Sequence, residues 1–228
     1  MLFKKLHEWD LTPKEAMRLQ EKMRGLVLPE DDFGRIRIVA GVDASYCRSE
    51  KITTAGVAVL TFPELELVET VTATEPTTFP YVPGLLSFRE MPALLAALEL
   101  VAAEPDLVIV DGQGLAHPRG FGIACHVGVV LDKPTIGCAK SRLIGDYAQP
   151  GPERGDSSPL VIGSQRVGSV LRTKSHVRPL FVSPGHRIGF ESADRMILEC
   201  TRGYRLPEPS RLAHEVVSRA AGILVRKA

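Results

Sequence analysis

The stretch Asp106-Leu-Val-Ile-Val-Asp111-Gly-Gln-Gly-Leu-Ala-His117-Pro-Arg119 decides how this chain is read. Its first half is a short β-branched run, the pattern of a buried strand. The run ends on a carboxylate, Asp111, followed by Gly112 and Gly114. A strand that delivers an acid to the carboxyl end of a sheet, beside bare backbone, is how open α/β sheets build sites. Asp43 ends a similar run, Ile36-Arg-Ile-Val-Ala-Gly-Val-Asp43, and Glu90 lies in a helix-like segment between the two strands. Three carboxylates brought together repel one another, so the arrangement calls for a cation.

Outward from that stretch the pattern alternates. Thr12-Pro13-Lys14-Glu15 is a capping box with proline at the first helical position, which predicts a helix from Pro13 to about Leu26. Strands are expected near Ile36–Ala44, Thr53–Thr61 and Leu65–Ala73. Their short connections imply antiparallel hairpins. Two prolines and a glycine interrupt Thr77–Gly84. Leu85–Ala102 then reads as a helix, with Phe88, Met91, Leu95 and Leu98 at helical spacing and Pro92 near its start. After the Asp106–Val110 strand come a helix at Gly122–Leu131 and a strand at Pro134–Ala139, an alternation that marks a parallel section. Gln149–Pro159 reads as a loop, Leu160–Ile162 with Val167–Arg172 as a hairpin, and Pro179–Val182 as the last strand. Helices near Ser192–Cys200 and from Glu208 to Val225 close the chain. The order predicts an α/β protein of ribonuclease H-like arrangement, a mixed central sheet with flanking helices.

At 228 residues, 44% hydrophobic and 24% charged, the chain suits one soluble domain spanning residues 1–228. A formal net charge of +1 neither demands nor forbids a nucleic-acid partner, because local basic patches can steer one. Cys47, Cys125, Cys138 and Cys200 form no C-x-x-C pair and no zinc spacing, so buried, reduced thiols of a cytoplasmic protein are expected. The N-terminal Met1–Asp10 segment is charged and lacks the apolar core of a signal peptide. No apolar run reaches the length of a membrane span. No spare apolar face is evident, which suggests a monomer.

Asp43, Glu90 and Asp111 carry the chemical case. Each alone reads more readily as a turn cap or the partner of a nearby base, but placed on two strands and the helix between them they favour a site for a hard divalent ion. His214 falls at the edge of the apolar face set by Leu212, Ala213, Val216, Val217, Ala220, Ile223 and Leu224. It is either a border histidine or an imidazole aimed at the site. Lys140 follows a strand end, where an ammonium could offset charge on a phosphate. Gly84, Gly112, Gly114 and Gly122 flank the acids and would let a flat ring or a phosphate approach the main chain, although ordinary turns also use glycine. Tyr81 stands in a loop stiffened by Pro80 and Pro83, as a wedge between bases would, or as a cover on the core. Arg119, Lys140, Arg142, Arg172, Lys174, Arg187 and Arg205 would make a phosphate track if they shared one face.

Six blocks in order resemble the endonuclease V family: Ala40-Gly-Val-Asp43, Phe79-Pro-Tyr-Val-Pro-Gly84, Phe88-Arg-Glu90, Asp111-Gly-Gln-Gly-Leu-Ala-His-Pro-Arg119, Gly137-Cys-Ala-Lys-Ser-Arg142 and Val182-Ser-Pro-Gly-His186. The resemblance implies a ribonuclease H-like nuclease that uses magnesium, with manganese as a substitute. It implies Asp43, Glu90 and Asp111 as metal ligands, His214 positioning or activating a second metal or the water, and Lys140 beside the scissile phosphate. It makes Tyr81 a strand-separating wedge, with Pro80, Val82 and Pro83 around it. It places a flipped hypoxanthine against Gly84, Leu86, Gly112, Gly122, Ile123 and Leu143. The implied reaction nicks deoxyinosine-containing DNA at the second phosphodiester bond 3′ to the lesion, leaving a 3′-hydroxyl and a 5′-phosphate. Hypoxanthine pairs weakly, which makes its extrusion cheaper. Inosine-containing single-stranded RNA is the alternative substrate. A deaminated-base binder that does not cut, or a small-molecule phosphatase, fits less well: the first needs no clustered acids and the second leaves the Tyr81 loop without a purpose.

Overall fold

A computed structural model describes residues 3–222. Its central sheet has eight strands: β1 (Ile38–Cys47), β2 (Ile52–Thr61), β3 (Leu67–Pro76), β4 (Leu107–Val110), β5 (Thr135–Ala139), β6 (Ser157–Ile162), β7 (Gln165–Leu171) and β8 (Leu180–His186). Their spatial order is β3-β2-β1-β4-β5-β8-β7-β6. β1, β4 and β5 run parallel, and every other neighbour pair is antiparallel. This is the ribonuclease H-like arrangement expected from the sequence. The helices are α1 (Pro13–Met23), α2 (Leu86–Glu99), α3 (Ile123–Leu131), α4 (Phe190–Glu199) and α5 (Glu208–Ala220).

Period-two alternation splits the strands between two cores. Ala40, Val42, Val108 and Val110 face one way, against Met91 and Leu94 of α2 and Val127 of α3. Val39, Leu107 and Ile109 face the other way, with Ile197 of α4 and Ala213 of α5. β2 is buried along nearly its whole length, whereas edge strand β3 alternates between half-buried and exposed. Asp106 ties the parallel section together: its Oδ2 accepts from the Arg37 and Ile38 main-chain N–H groups at 2.7 and 3.0 Å. α1 begins with the capping box read from the sequence, Thr12 N–H donating to the Glu15 carboxylate at 2.8 Å.

Several boundaries differ from expectation. α1 gives way at Arg24–Leu26 to a 3₁₀ turn. β1 runs on past Ala44 to Cys47, paired throughout with β2. Ser157–Pro159 belong to β6 rather than to the preceding loop; β6 is an edge strand, where proline costs no ladder bond. β8 continues past Val182 to His186, and its Pro184 faces a register shift in β5 instead of ending the strand. Pro92 sits inside an unbroken α2. α5 ends at Ala220, and Ile223, Leu224 and Val225, placed in that helix by the sequence reading, lie outside the described residues. No described helix is long and apolar enough to cross a membrane.

Candidate active site

Parallel strands β1 and β4 pair Val42 with Val110, so the next residues, Asp43 and Asp111, emerge side by side. The Asp111 N–H donates to the Val42 carbonyl at 3.1 Å and extends the ladder to the acids themselves. α5 crosses above them because Gly41 leaves room. A Cβ there would lie 2.1 Å from the Pro209 carbonyl carbon and oxygen. Gly56, the β2 partner of Asp43, is as restricted: its Cβ would meet Val217 at 2.6 Å. The close seat brings His214 Nδ1 to 2.7 Å from Asp43 Oδ2. Asp43 Oδ1 accepts from the Ala44 N–H at 2.9 Å, which fixes the carboxylate plane.

Ligand atoms of Asp43, Asp111 and His214 all lie within 4.8 Å of one another. Glu90, expected from the sequence as the third acid, is not in that set; it is half-buried, and its carboxyl feels both aspartates. Burial pushes its pKa up to about 8, and the Asp43 and Asp111 charges push the same way. Asp43 is also raised, by burial first and then by Asp111, against the lowering effects of His214 and Lys140. Lys140 follows β5 directly and places its ammonium on the Asp111 carboxylate. Hard carboxylate oxygens with one imidazole, crowded to mutual repulsion, are a donor set that fits a hard divalent cation such as magnesium or manganese. His214 is exposed, and with Nδ1 on Asp43 its Nε2 has no hydrogen-bond partner among the described residues.

Beside this centre lies a cavity of about 380 Å³. Gly84, Leu86, Gly112, Gly122, Ile123 and Leu143 all line it, and Asp111 and Lys140 form its boundary with the acids. Tyr81, Val82 and Pro83 also line it, whereas Pro80 does not. The Tyr81 ring is 72% exposed, which removes the reading of a tyrosine covering the core. Arg89 lies 3.7 Å from the Tyr46 ring centroid and 5.8 Å from that of Tyr81.

One carbonyl holds the cavity wall. Gly84 O accepts from Gln20 Nε2 at 3.1 Å, His117 Nε2 at 2.9 Å and Arg119 Nη2 at 2.7 Å. Arg119 Nε also donates to Gln20 Oε1 at 2.6 Å. Burial drives the His117 pKa down to about 4, so the ring is neutral, with Nε2–H given to Gly84 and Nδ1 accepting from the Arg119 N–H at 3.2 Å. Gly84 itself has φ +77°, in the left-handed region that favours glycine. Gly114 does not line the cavity, and both it and Gly122 meet a packing need. Their Cβ atoms would lie 2.1 Å from Pro184 O and 2.2 Å from Gln113 O, so the protein's own main chain takes the space.

Sequence reasoning gave no role to six further lining residues, Gln20, Ser87, Gln113, His117, Ala139 and Ser141. Ser87 Oγ and Gln113 Oε1 are buried without a hydrogen-bond partner in the protein, while Gln113 Nε2 donates to Ser141 O at 3.0 Å. A signal for Gln20 did exist: it is a polar residue in the buried stripe Ala16, Gln20, Met23 of α1.

The basic residues do not form one continuous track. Arg172 is buried and donates to the Gly151 and Pro150 carbonyls, and Arg187 pairs with Asp32 and Asp132. Arg119 belongs to the Gly84 anchor. Lys140 and Arg142 line the cavity, and Arg205 shares a second groove with Lys140. Among the cysteines, Cys125, Cys138 and Cys200 are buried as expected, but Cys47 is only half-buried because β1 carries it beyond the core.

Residues 21–215 match the model of the endonuclease V family. A protein named endonuclease V from Nostoc punctiforme is 49% identical over 219 residues, covering 96% of this chain and 99% of that protein. Its namesake in Dehalococcoides mccartyi is 51% identical over 92% of this chain and 95% of its own length. The crystal structure of endonuclease V from Streptomyces avermitilis is 42% identical and superposes with a TM-score of 0.89 over 95% of this chain and 96% of that one. The Ciona intestinalis endonuclease V (D234N), crystallised with a 23mer DNA containing an inosine followed by a ribo-adenosine, is 26% identical with a TM-score of 0.82, over 94% of this chain and all of that one. With the acids at the ends of neighbouring parallel strands and the cavity beside them, these matches show that the chain belongs to the endonuclease V family and is an endonuclease, a phosphodiester hydrolase.

Proposed function

We propose that this protein is a divalent-metal-dependent nuclease that acts on deaminated adenine in DNA, as one nuclease domain. The observation that carries the reading is the shared boundary between the acid cluster and the cavity: Asp111 and Lys140 belong to both. A base seated in the cavity is thereby tied to a bond held at a fixed distance along its strand. Asp43, Glu90 and Asp111 would hold magnesium, or manganese in its place, which when bound supplies Lewis-acid charge to the phosphoryl group and acidifies water. His214 keeps Nδ1–H on Asp43 and offers Nε2 to take a proton from water. Lys140 sets an ammonium beside the scissile phosphate, where negative charge builds.

Tyr81, exposed on a loop braced by Pro80, Val82 and Pro83, would enter the duplex and fill the gap left by the extruded nucleotide. Hypoxanthine would lie against Gly84, Leu86, Gly112, Gly122, Ile123 and Leu143. The unpaired Ser87 Oγ and Gln113 Oε1 are polar atoms that an extruded base could satisfy. A site that pairs its polar atoms with one base rejects another that leaves them unpaired. The cut would fall at the second phosphodiester bond 3′ to the lesion, leaving a 3′-hydroxyl and a 5′-phosphate. The complex of the Ciona relative with inosine-containing DNA supports this choice of substrate.

A strand-labelled duplex with one deoxyinosine, incubated with and without magnesium, tests the reading. A magnesium-dependent nick at that second bond is expected, with none in the control duplex carrying deoxyadenosine. Cleavage of the matching inosine RNA alone would overturn the DNA assignment. Binding without any cut would overturn the assignment of the acids.

A further inference from the structure

The loop between α4 and α5, residues 201–207, carries a groove of about 290 Å³ lined by Lys140, Tyr204, Arg205, Leu206 and Arg211. Among the described residues its only lining residue in common with the base cavity is Lys140, so the two spaces meet at that ammonium, beside the acids. Tyr204 is 57% exposed, and among the described residues only the Tyr81 ring is an aromatic more exposed. Each of the two spaces that meet at Lys140 thus carries one of the two most exposed aromatic rings among the described residues.

The groove is built rather than loose. Arg205 Nη2 donates to Lys140 O at 2.9 Å and to Pro179 O at 2.8 Å, clamping the loop to the ends of β5 and β8. Thr173 Oγ1 donates to Arg205 O at 2.6 Å, and Lys174 Nζ to Gly203 O at 2.7 Å. These cations bond to carbonyls rather than to carboxylates, so their charge remains. Arg205 Nε is buried without a partner. Arg211 lies 4.8 Å from the Tyr204 ring centroid while its guanidinium is held by Glu208 at 2.6 Å, which braces the exposed ring. Of the groove's three cations, Lys140 and Arg211 pair with carboxylates and Arg205 does not; an exposed ring beside that uncompensated guanidinium is a combination that binds single-stranded nucleic acid, phosphates following the charge and a base stacking on the ring.

We propose that this groove binds the DNA strand just beyond the cut bond, with Tyr204 stacking on a base 3′ of that bond and Arg205 facing its phosphates. The proposal rests on the nuclease reading above. With the extruded base in the cavity and the bond at Lys140, a strand that continues past the cut would leave the cavity at Lys140, where the Tyr204 groove begins.

The test uses deoxyinosine duplexes whose lesion strand either ends immediately beyond the cut bond or continues well past it as an unpaired 3′ tail. For the wild type, kcat/KM is expected to be roughly tenfold lower on the short strand, the size of one lost stacking contact. Tyr204→Ala should lose the same roughly tenfold on the long strand, match the wild type on the short one, and be restored by Tyr204→Trp. Equal cutting of the long strand by Tyr204→Ala and wild type overturns the proposal. So does an equal loss on both strands, which would mean that the loop merely supports Lys140. A wild type that cuts neither strand fails earlier, at the nuclease reading itself, and is recognised without any variant.

Discussion

The reacting centre and the cavity wall lie side by side and are built on opposite principles. In the wall, one carbonyl oxygen at Gly84 receives three donors, and the histidine among them is held neutral by burial. In the centre, three acids are crowded at the ends of strands and a helix, and two of them have pKa values raised by burial and by their neighbours. The wall is over-determined and the centre is under-compensated. A shape that must read a base needs rigidity before the ligand arrives, whereas a charge cluster that must hold a cation needs an unfavourable field without one.

The largest effect should come from breaking the centre. Asp111→Asn is expected to lower the nicking rate by roughly 10³-fold or more, since a bound metal contributes several kcal/mol to the transition state. Stability should move the other way. In chelator the variant should melt higher than the wild type, because one repelling charge is gone. Added magnesium should raise the wild-type melting temperature and leave the variant nearly unmoved. A variant that melts lower in chelator would mean that Asp111 is structural, held by Lys140 as an ordinary ion pair.

A smaller loss is expected where the two regions' supports differ. Gly41→Ala drives a methyl group into the Pro209 main chain, 2.1 Å away, so α5 must shift and carry His214 off Asp43. Overpacking of this kind costs about 1–3 kcal/mol, and a displacement of about 1 Å at a catalytic group costs roughly 10² in rate. Nicking should fall while affinity for an inosine strand that ends at the cut bond holds, because the cavity does not touch α5. If affinity falls equally, the two regions are not separately supported.

The wall is broken more gently through His117. Replacing it with alanine leaves Gly84 O two of its donors, and KM should rise about tenfold with kcat nearly unchanged, as one buried hydrogen bond is lost. Stability carries the same signature. The folded pKa is about 4 against 6.5 for the free side chain, so the unfolded chain takes up the proton first as pH falls. His117 therefore adds no acid penalty above pH 6.5, and stability is lost as pH drops from 6.5 toward 4, by about 3 kcal/mol at most. Denaturant midpoints of wild type and His117→Asn across that window should diverge at neutral pH and converge toward pH 4. Parallel curves would place the acid sensitivity elsewhere.

Much of this was legible from residue order, and the reason is physical. Strand-terminal acids after β-branched runs, and a capping box before an apolar stripe, are local signals, and Asp43, Asp111 and α1 followed from them. The six-block resemblance added the cavity residues, all of which line one space. What stayed hidden depends on partners distant in sequence. Gln20 meets Gly84 and Arg119 only after folding, and nothing near it in the chain announces them. Gly114 looked like a ligand glycine because its real neighbour, the Pro184 carbonyl, lies on a strand far along the chain. The basic track failed for the same cause: Arg187 finds Asp32 and Asp132 across the fold, and Arg172 finds carbonyls. Charge is readable from sequence, but whether it is already paired is not.

The smallest effect sharpens the comparison by supplying a control, an unfavourable acid remote from the site. Asp194 on α4 is pushed up to about 6 by burial, with Oδ1 unpaired and Arg166 Nη2 3.6 Å from Oδ2. A raised carboxyl binds its proton more tightly in the folded state, so stability is greatest below the free value of 3.8 and falls as pH rises through 6. Asp194→Asn should therefore gain about 1–2 kcal/mol at pH 7, after allowance for the partial offset by Arg166, and flatten the decline between pH 4 and 6. Unlike Asp111→Asn, it should leave both the nicking rate and the magnesium-induced rise in melting temperature at wild-type values. If it also abolished the magnesium effect, raised carboxyl pKa values in this fold would report burial alone, and the repulsion at Asp43, Glu90 and Asp111 would lose its standing as the mark of a cation site.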